Sequence, residues 1–476
     1  MKRPVLFSLL GCMLLNPVAH AEEPALPMGL GVVSPADVPA LPQGLSSEPS
    51  LPMGLGDGNK EEAVAQERAD VWRDALPFDL SGFIETRYGM RLHRDTQQKR
   101  ASLGEGRLHL QALQSNESLT VGLSGDLLYD PVADEYEPDL ENGDGVLDVR
   151  EAYVLFRPAE NADVKLGRQI LTWGTGDLLF INDLFPKDWN SFFIGRDVEY
   201  LKAPSDAVKL AFYHPEVNLD VVYTPRFDAD RFIDGRRISY YNAGAGSVAG
   251  RNLPVNTEAR DGWFHGDELA LRLHRLVEAY ETALYYYQGY WKSPAGQNPL
   301  SGRYTFPRLS VYGASVRGPV LAGIANAELG YYDSRDDRRG VNPLVRNSEW
   351  RVLVGYEQEL VPELTGSMQY YIEHMQDHTA YRQSLPAGAV VEDANHQVLT
   401  LRLTQLLMQQ NLKLSLFNFY SPSAGDGYTR ASVNYKLDDH WQLETGLNLF
   451  YGQRHTSFFG QFEDTSNIYA GVRYSF

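Results

Sequence analysis

The sequence predicts an all-β fold: a transmembrane antiparallel β-barrel of about 18 strands, preceded by a disordered periplasmic amino-terminal arm. Three observations predict it. The chain closes on Ile468-Tyr-Ala-Gly-Val-Arg-Tyr-Ser-Phe476, an alternating strand that stops on an aromatic residue. Similar alternating segments recur backward from it as far as residue 78. The connections between them alternate short and long, as they must where strands cross a bilayer and return.

Composition narrows the classes. After the first two dozen positions no apolar run approaches the roughly 18 residues of a membrane helix, so helical spans are excluded. Formal charge is −19 with no basic tract, which argues against nucleic acid as a partner. Cys12 is the single cysteine and falls in the leader, so disulfides, thiolate metal sites and cysteine nucleophiles drop out.

Residues 1–21 read as a signal peptide. Lys2 and Arg3 supply charge, Val5 to Leu15 an apolar stretch, and Ala19-His20-Ala21 a small-x-small cleavage site. Leu9-Leu10-Gly11-Cys12 resembles a lipoprotein processing box, but the apolar run continues past it. Residues 22–60 form a Pro/Gly-rich arm carrying Leu26-Pro-Met-Gly-Leu30, Leu41-Pro-Gln-Gly-Leu45 and Leu51-Pro-Met-Gly-Leu55. Such composition suits a tether, and its repeats suit docking of a periplasmic partner. Residues 61–77 suit a short helix, with Ala65, Ala69, Trp72 and Leu76 near one face.

The barrel is expected over 78–476. Its strands are expected at 78–93, 102–114, 117–129, 147–157, 162–173, 205–213, 216–224, 266–276 and 278–291. The second half continues at 307–317, 323–333, 348–359, 364–375, 394–408, 411–421, 427–437, 441–451 and 466–476. Placing both ends in the periplasm makes the tight turns periplasmic and the long connections extracellular.

Alternation assigns faces. Ile468, Ala470, Val472 and Tyr474 point to lipid, and so do Leu399, Leu401 and Leu403, with polar neighbours interleaved. An arginine or lysine facing mid-bilayer lipid costs roughly 2–4 kcal/mol, so strand charges must face the lumen. The expected pore-lining set is Arg87, Arg91, Arg107, Arg168, Gln169, Lys209, Arg272, Arg351, Arg402, Arg430 and Arg473. Acidic residues of similar number share the lumen, so cross-strand ion pairing competes with a basic ladder for an anionic solute. Tyrosines near strand ends, including Tyr88, Tyr129, Tyr331, Tyr332, Tyr370, Tyr371 and Tyr420, suit interfacial girdles.

Two loops carry further expectations. Residues 174–204 hold Leu178-Leu-Phe-Ile181, Leu184-Phe185-Pro186, Trp189 and Phe192-Phe193-Ile194, too apolar to float in water. A loop of that kind should fold into the barrel as a constriction. Asp177, Asp183, Lys187, Asp188, Arg196 and Asp197 would then shape the pore. In the acidic outer loop 130–148, Asn142, Asp144, Asp148 and Glu151 match part of a calcium loop, although Leu140 occupies the first ligand position. No other cofactor is expected. The eleven histidines form no metal or triad spacing, and no enzyme is expected.

The terminal strand and the loop parity resemble Gram-negative outer-membrane porins. More narrowly, Leu166-Gly-Arg-Gln169 with Trp173-Gly174 and a long loop resembles alginate-export-type porins and related uncharacterised barrels. The resemblance implies a cell outer-membrane channel for diffusion or export of a polar solute, with Arg168 and Gln169 at the pore; alginate itself is not implied, because the lumen carries both charge signs, and only its basic ladder would suit an anionic solute. Strict alternation instead puts Arg168 on the lipid side, unless a local bulge intervenes. Outer-membrane lipid and lipopolysaccharide would be its surroundings. The alternative is an outer-membrane component of a multiprotein export or assembly system recruited through the repeats of 22–60.

Overall fold

The computed structural model describes residues 76–476, apart from residues 135 and 261. The expected signal peptide, repeat arm and residues 61–75 of the expected helix lie outside the described residues.

Eighteen antiparallel strands form one sheet in which each pairs with the next in sequence. They are β1 (Asp79–Arg91), β2 (Ala101–Ser115), β3 (Leu119–Tyr129), β4 (Leu147–Ala159), β5 (Ala162–Ile170) and β6 (Pro204–Phe212). Next come β7 (Asn218–Thr224), β8 (Glu268–Val277), β9 (Tyr280–Tyr290), β10 (Arg308–Val320), β11 (Gly323–Ser334) and β12 (Glu349–Val361). The last are β13 (Leu364–Met375), β14 (Asn395–Leu407), β15 (Leu412–Ser421), β16 (Asp426–Lys436), β17 (Trp441–Gly452) and β18 (Asn467–Ser475).

The ends meet. β18 pairs back onto β1, from Phe83 opposite Ser475 to Arg91 opposite Asn467. Gly82 and Phe476 exchange two backbone hydrogen bonds of 3.1 and 3.0 Å beyond that register. The seam leaves no open edge to pair with another chain.

Tight turns gather at one rim. Leu321, Glu363, Met408, Gln409 and Gln410 all take positive φ there, the backbone that a two- or three-residue hairpin demands. Alternation then sorts the side chains. Ile84, Leu123, Leu284, Val354, Met368, Leu401 and Ile468 lie on the outer face and are exposed to lipid. Their neighbours in sequence point inward, where Glu85, Arg87, Arg107, Glu328 and Arg430 are buried.

The tyrosine girdle needs a correction. Tyr331 faces outward and packs on Trp350 at 4.7 Å between ring centroids, but Tyr332 is buried on the inner face. Tyr370 and Tyr371 divide in the same way, with Tyr371 inward. Adjacent residues in a strand cannot share a face, so a tandem tyrosine pair supplies only one girdle ring.

Candidate functional site

The loop between β5 and β6 runs from residue 171 to 203 and crosses the lumen. At its centre lies a short helix, α1 (Trp189–Ile194). The Asp188 carboxylate caps it by accepting from the Ser191 amide at 2.7 Å. Gly195 ends it at φ 95°, where a Cβ would sit 2.3 Å from the Tyr469 ring. Glycine is required on both counts.

The apolar side chains of this loop are its anchor. Phe193 packs against Tyr428 (5.5 Å), Phe450 (4.9 Å) and Phe462 (5.3 Å) between ring centroids. Ile181, Phe185, Phe192, Ile194 and Leu201 join the same buried cluster with the inward rings of Tyr287, Trp291, Tyr332, Phe417 and Phe419. A barrel this wide would otherwise hold water at these positions. The expectation of an inserted loop holds.

Polar contacts fix it to walls on many sides. Glu328 of β11 accepts from the amides of Thr175 and Gly176 (2.8 Å for the latter) and from Asn182 Nδ2 at 2.9 Å. Asp177 pairs with Arg402 of β14 at 2.9 Å. Arg87 of β1 donates to the Gly195 carbonyl at 2.9 Å, Arg430 of β16 to that of Arg196 at 2.7 Å, and Asn467 of β18 to that of Phe193 at 3.0 Å. Because α1 ends without a continuing turn, its last carbonyls need such donors.

Of the expected loop residues, Asp177, Arg196 and Asp197 meet the barrel wall. Arg196 pairs with Glu105 at 2.7 Å and Asp197 with Arg473 at 3.4 Å. Asp183, Lys187 and Asp188 do not shape the pore. Lys187 pairs with Asp183 at 2.9 Å and both are buried, while Asp188 serves the helix cap and Arg231. Their charges satisfy the loop's own folded interior.

The expected pore-lining residues divide similarly. Arg87 pairs with Glu85 and Glu444, Arg107 with Glu105 and Asp126, Arg272 with Asp220, Arg351 with Glu349 and Glu373, and Arg473 with Glu85. Arg402 pairs with Glu357 besides Asp177. Arg91 donates to the carbonyls of Ala101 (2.8 Å) and Arg237 (2.6 Å). Among the described residues, Lys209, Arg317 and Lys413 face inward with no salt bridge. Glu85, Arg87, Gln442, Glu444, Gly471 and Arg473 cluster on the inner wall around the seam between β1 and β18.

Arg168 is a correction. It pairs across β4 and β5 with Ala152, in the outward row next to Val154–Leu166, while Lys165 and Tyr153 occupy the inner face. No bulge turns it inward. Instead it is buried under the outer loop, donating to the Val149 carbonyl at 2.7 Å and to that of Leu140, and pairing with Asp206 at 3.2 Å. Gln169 does face inward, but it is fully buried and donates to the Ala207 carbonyl at 2.9 Å rather than bordering water.

The expected calcium ligands do not converge. Asp148 pairs with Arg231 at 2.8 Å and Glu151 with Lys165 at 3.2 Å, both on the inner wall of β4. Burial, with Asp234 and Asp188 nearby, pushes the Asp144 carboxyl up to about 6. The only acidic or histidine group of metal-holding compactness among the described residues is Glu141, Asp206 and Asp228. It already has Arg226 on Glu141 (3.2 Å) and Arg168 on Asp206.

Arg231 was legible only as one more arginine of the long loop 225–267. It is a keystone. Besides Asp148 it pairs with Asp188, and its carbonyl accepts the Trp189 amide at 3.1 Å. Asp230 beside it accepts the Lys187 amide at 2.8 Å. The long loop between β7 and β8 is thereby stitched to the inserted loop.

A closed 18-strand barrel with tight turns at one rim, long loops at the other and one loop folded inside is a porin-like outer-membrane barrel. No family model matches this sequence, and no curated protein matches it. Among solved structures, OccAB3 of Acinetobacter baumannii is similar at TM-score 0.51 and 9% identity, over 83% of this chain and 98% of that one. The outer membrane channel DcaP of Acinetobacter baumannii follows at TM-score 0.41 and 13% identity, over 84% and 97%. Salmonella typhi OmpF, solved with daunomycin, gives 0.42 and 11%, over 84% and 97%. At such identities the likeness concerns the fold, and only the first score is high enough to weigh.

Proposed function

We propose that this chain is an outer-membrane channel of a Gram-negative cell, passing a small polar solute by diffusion or export. The observation that carries it is the inserted loop: held by apolar packing against β9–β11 and β15–β17 and by polar contacts to other strands, it constricts a lumen whose wall carries polar and charged side chains. A transporter needs that arrangement and a purely structural barrel does not. An anionic solute fits best. Most lumen arginines are neutralised by carboxylates and Arg91 and Arg430 are spent on backbone carbonyls, but among the described residues Lys209, Arg317 and Lys413 remain with neither salt bridge nor hydrogen bond, offset in part by Glu281 opposite Arg317. Surrounding partners would be outer-leaflet lipid and lipopolysaccharide.

Planar bilayers test the reading. The purified protein is expected to give discrete conductance steps with a reversal potential favouring anions in a salt gradient. The Lys209→Glu, Lys413→Glu double variant should shift selectivity toward cations. Conductance without any shift would remove the anionic assignment, and no conductance would remove the channel. The three Leu-Pro-x-Gly-Leu repeats support a second reading, recruitment to a periplasmic export or assembly complex. That reading requires co-purification of a periplasmic protein that is lost when residues 22–60 are deleted.

A further inference from the structure

The outer face of β9 to β12 carries a single row of paired aromatic residues. Tyr286 stands opposite Tyr312, Tyr312 opposite Tyr331, and Tyr331 opposite Trp350 across three successive strand pairs. Their rings touch, at 5.4 Å for Tyr286–Tyr312 and 4.7 Å for Tyr331–Trp350. Tyrosine and tryptophan in a lipid-facing row sit at headgroup depth. The row therefore marks where the outer-leaflet headgroups begin.

Directly above it arginines gather among aspartates, and not all of them are paired. Asp333 lies two residues beyond Tyr331 on the same outward face, about 7 Å higher at an ordinary strand rise. It holds Arg338 through two bonds of 2.9 and 2.7 Å. Arg308, four residues above Tyr312 on that face, pairs with Asp336 at 2.7 Å. The Arg335 amide bonds the Arg308 carbonyl at 2.9 Å, so the turn Arg335-Asp-Asp-Arg-Arg339 is laid against the strand end. Asp337 is buried and spent on the turn's own amides at Asn342 (2.6 Å) and Arg339. Among the described residues, the Arg335 and Arg339 side chains make no hydrogen bond or salt bridge. Each of the two paired guanidinium groups still has donors to spare, since one carboxylate engages at most two of five.

We propose that this arginine turn is a docking site for the phosphate groups of an outer-leaflet glycolipid of the lipid A type, whose acyl chains lie along the aromatic row beneath. Phosphate is the chemistry that matches free guanidinium forks at headgroup depth. The placement is the notable point in a chain of net charge −19, whose acidic surface elsewhere would meet such phosphates only through bridging divalent cations. Direct arginine contact needs no cation. The inference rests on the outer-membrane reading, not on the channel reading.

The test uses the full-length protein in detergent, titrated with bisphosphorylated lipid A, its monophosphorylated form and its fully dephosphorylated form, with native mass spectrometry as readout. Bisphosphorylated lipid should be retained at least tenfold better than dephosphorylated lipid, and EDTA should leave retention intact. The Arg335→Ser, Arg339→Ser double variant should lose about tenfold, and the Arg335→Lys, Arg339→Lys variant should keep most of it. Heat-modifiable gel mobility verifies folding of each variant, and the lysine variant keeps the comparison alive if the serine variant misfolds. Unchanged retention in the serine variant, no preference for phosphate, or loss in EDTA would each overturn the proposal. Conductance of the same preparations reports on the channel reading separately.

Discussion

Glu328 shows how one side chain can govern the lumen. Its carboxylate gathers three backbone amides, of Thr175, Gly176 and Asn182, together with the Thr175 hydroxyl at 3.0 Å and the Asn182 side-chain amide at 2.9 Å, all at the base of the inserted loop. Removing it strands buried donors, each costing about 1–3 kcal/mol. Glu328→Ala should therefore loosen the loop base while the barrel persists, giving larger and noisier conductance steps and a lower melting temperature. Conductance indistinguishable from the parent would show that the apolar anchor alone holds the loop. At this scale the sequence says little. Alternation placed Glu328, Arg87 and Arg430 on the inner face, but gave no hint whether each meets water, a carboxylate or a loop carbonyl. Arg168 is the instructive case: alternation puts it outside, the resemblance puts it in the pore, and it lies outside, where the Leu140 carbonyl of the outer loop, the Val149 carbonyl of β4 and the Asp206 carboxylate make an outward arginine tolerable.

At the scale of elements, strands were far more legible than loops. Every one of the 18 lies within three residues of its expected bounds, since a barrel strand must keep period-2 alternation across the whole bilayer. Loops obey no such period. The apolar content of 174–204 announced insertion, yet nothing announced that loop 225–267 would stitch to it or that a small hairpin of Tyr240–Asn242 and Ser247–Ala249 would form there. That stitched assembly should respond to pH. Burial pushes the Asp228 carboxyl up to about 7, against about 3.9 in an unfolded chain. Between those values the folded loop holds a proton that the unfolded loop would release, so packing weakens as pH rises from about 4 to about 7. Hydrogen exchange in loops 130–146 and 225–267, corrected for intrinsic rates, should be faster at pH 8 than at pH 5. Asp228→Asn should shrink the difference in loop 225–267, leaving in loop 130–146 what the raised Asp144 carboxyl contributes; an undiminished difference in that variant would assign it to another group.

For the whole molecule, closure makes the two faces of every strand chemically opposite, and this is testable within one strand. Leu401 sits mid-strand in β14 on the lipid face, opposite Met368, whereas Thr404 lies on the inner face three residues away. An arginine at 401 must cross hydrocarbon with its charge, at a cost of roughly 2–4 kcal/mol. An arginine at 404 enters a lumen that already solvates Arg402 and should cost little. Refolding into bilayers across a denaturant series should therefore show Leu401→Arg strongly destabilised and Thr404→Arg near the parent. The pair controls for propensity, since both place the same side chain in the same strand, so only the medium on each face differs. Equal destabilisation would mean that the face assignment is wrong for β14, and a one-residue register slip there would exchange inner and outer faces along the strand. The closure observed between β1 and β18 leaves no slack for such a slip, because each strand's register is fixed by two neighbours.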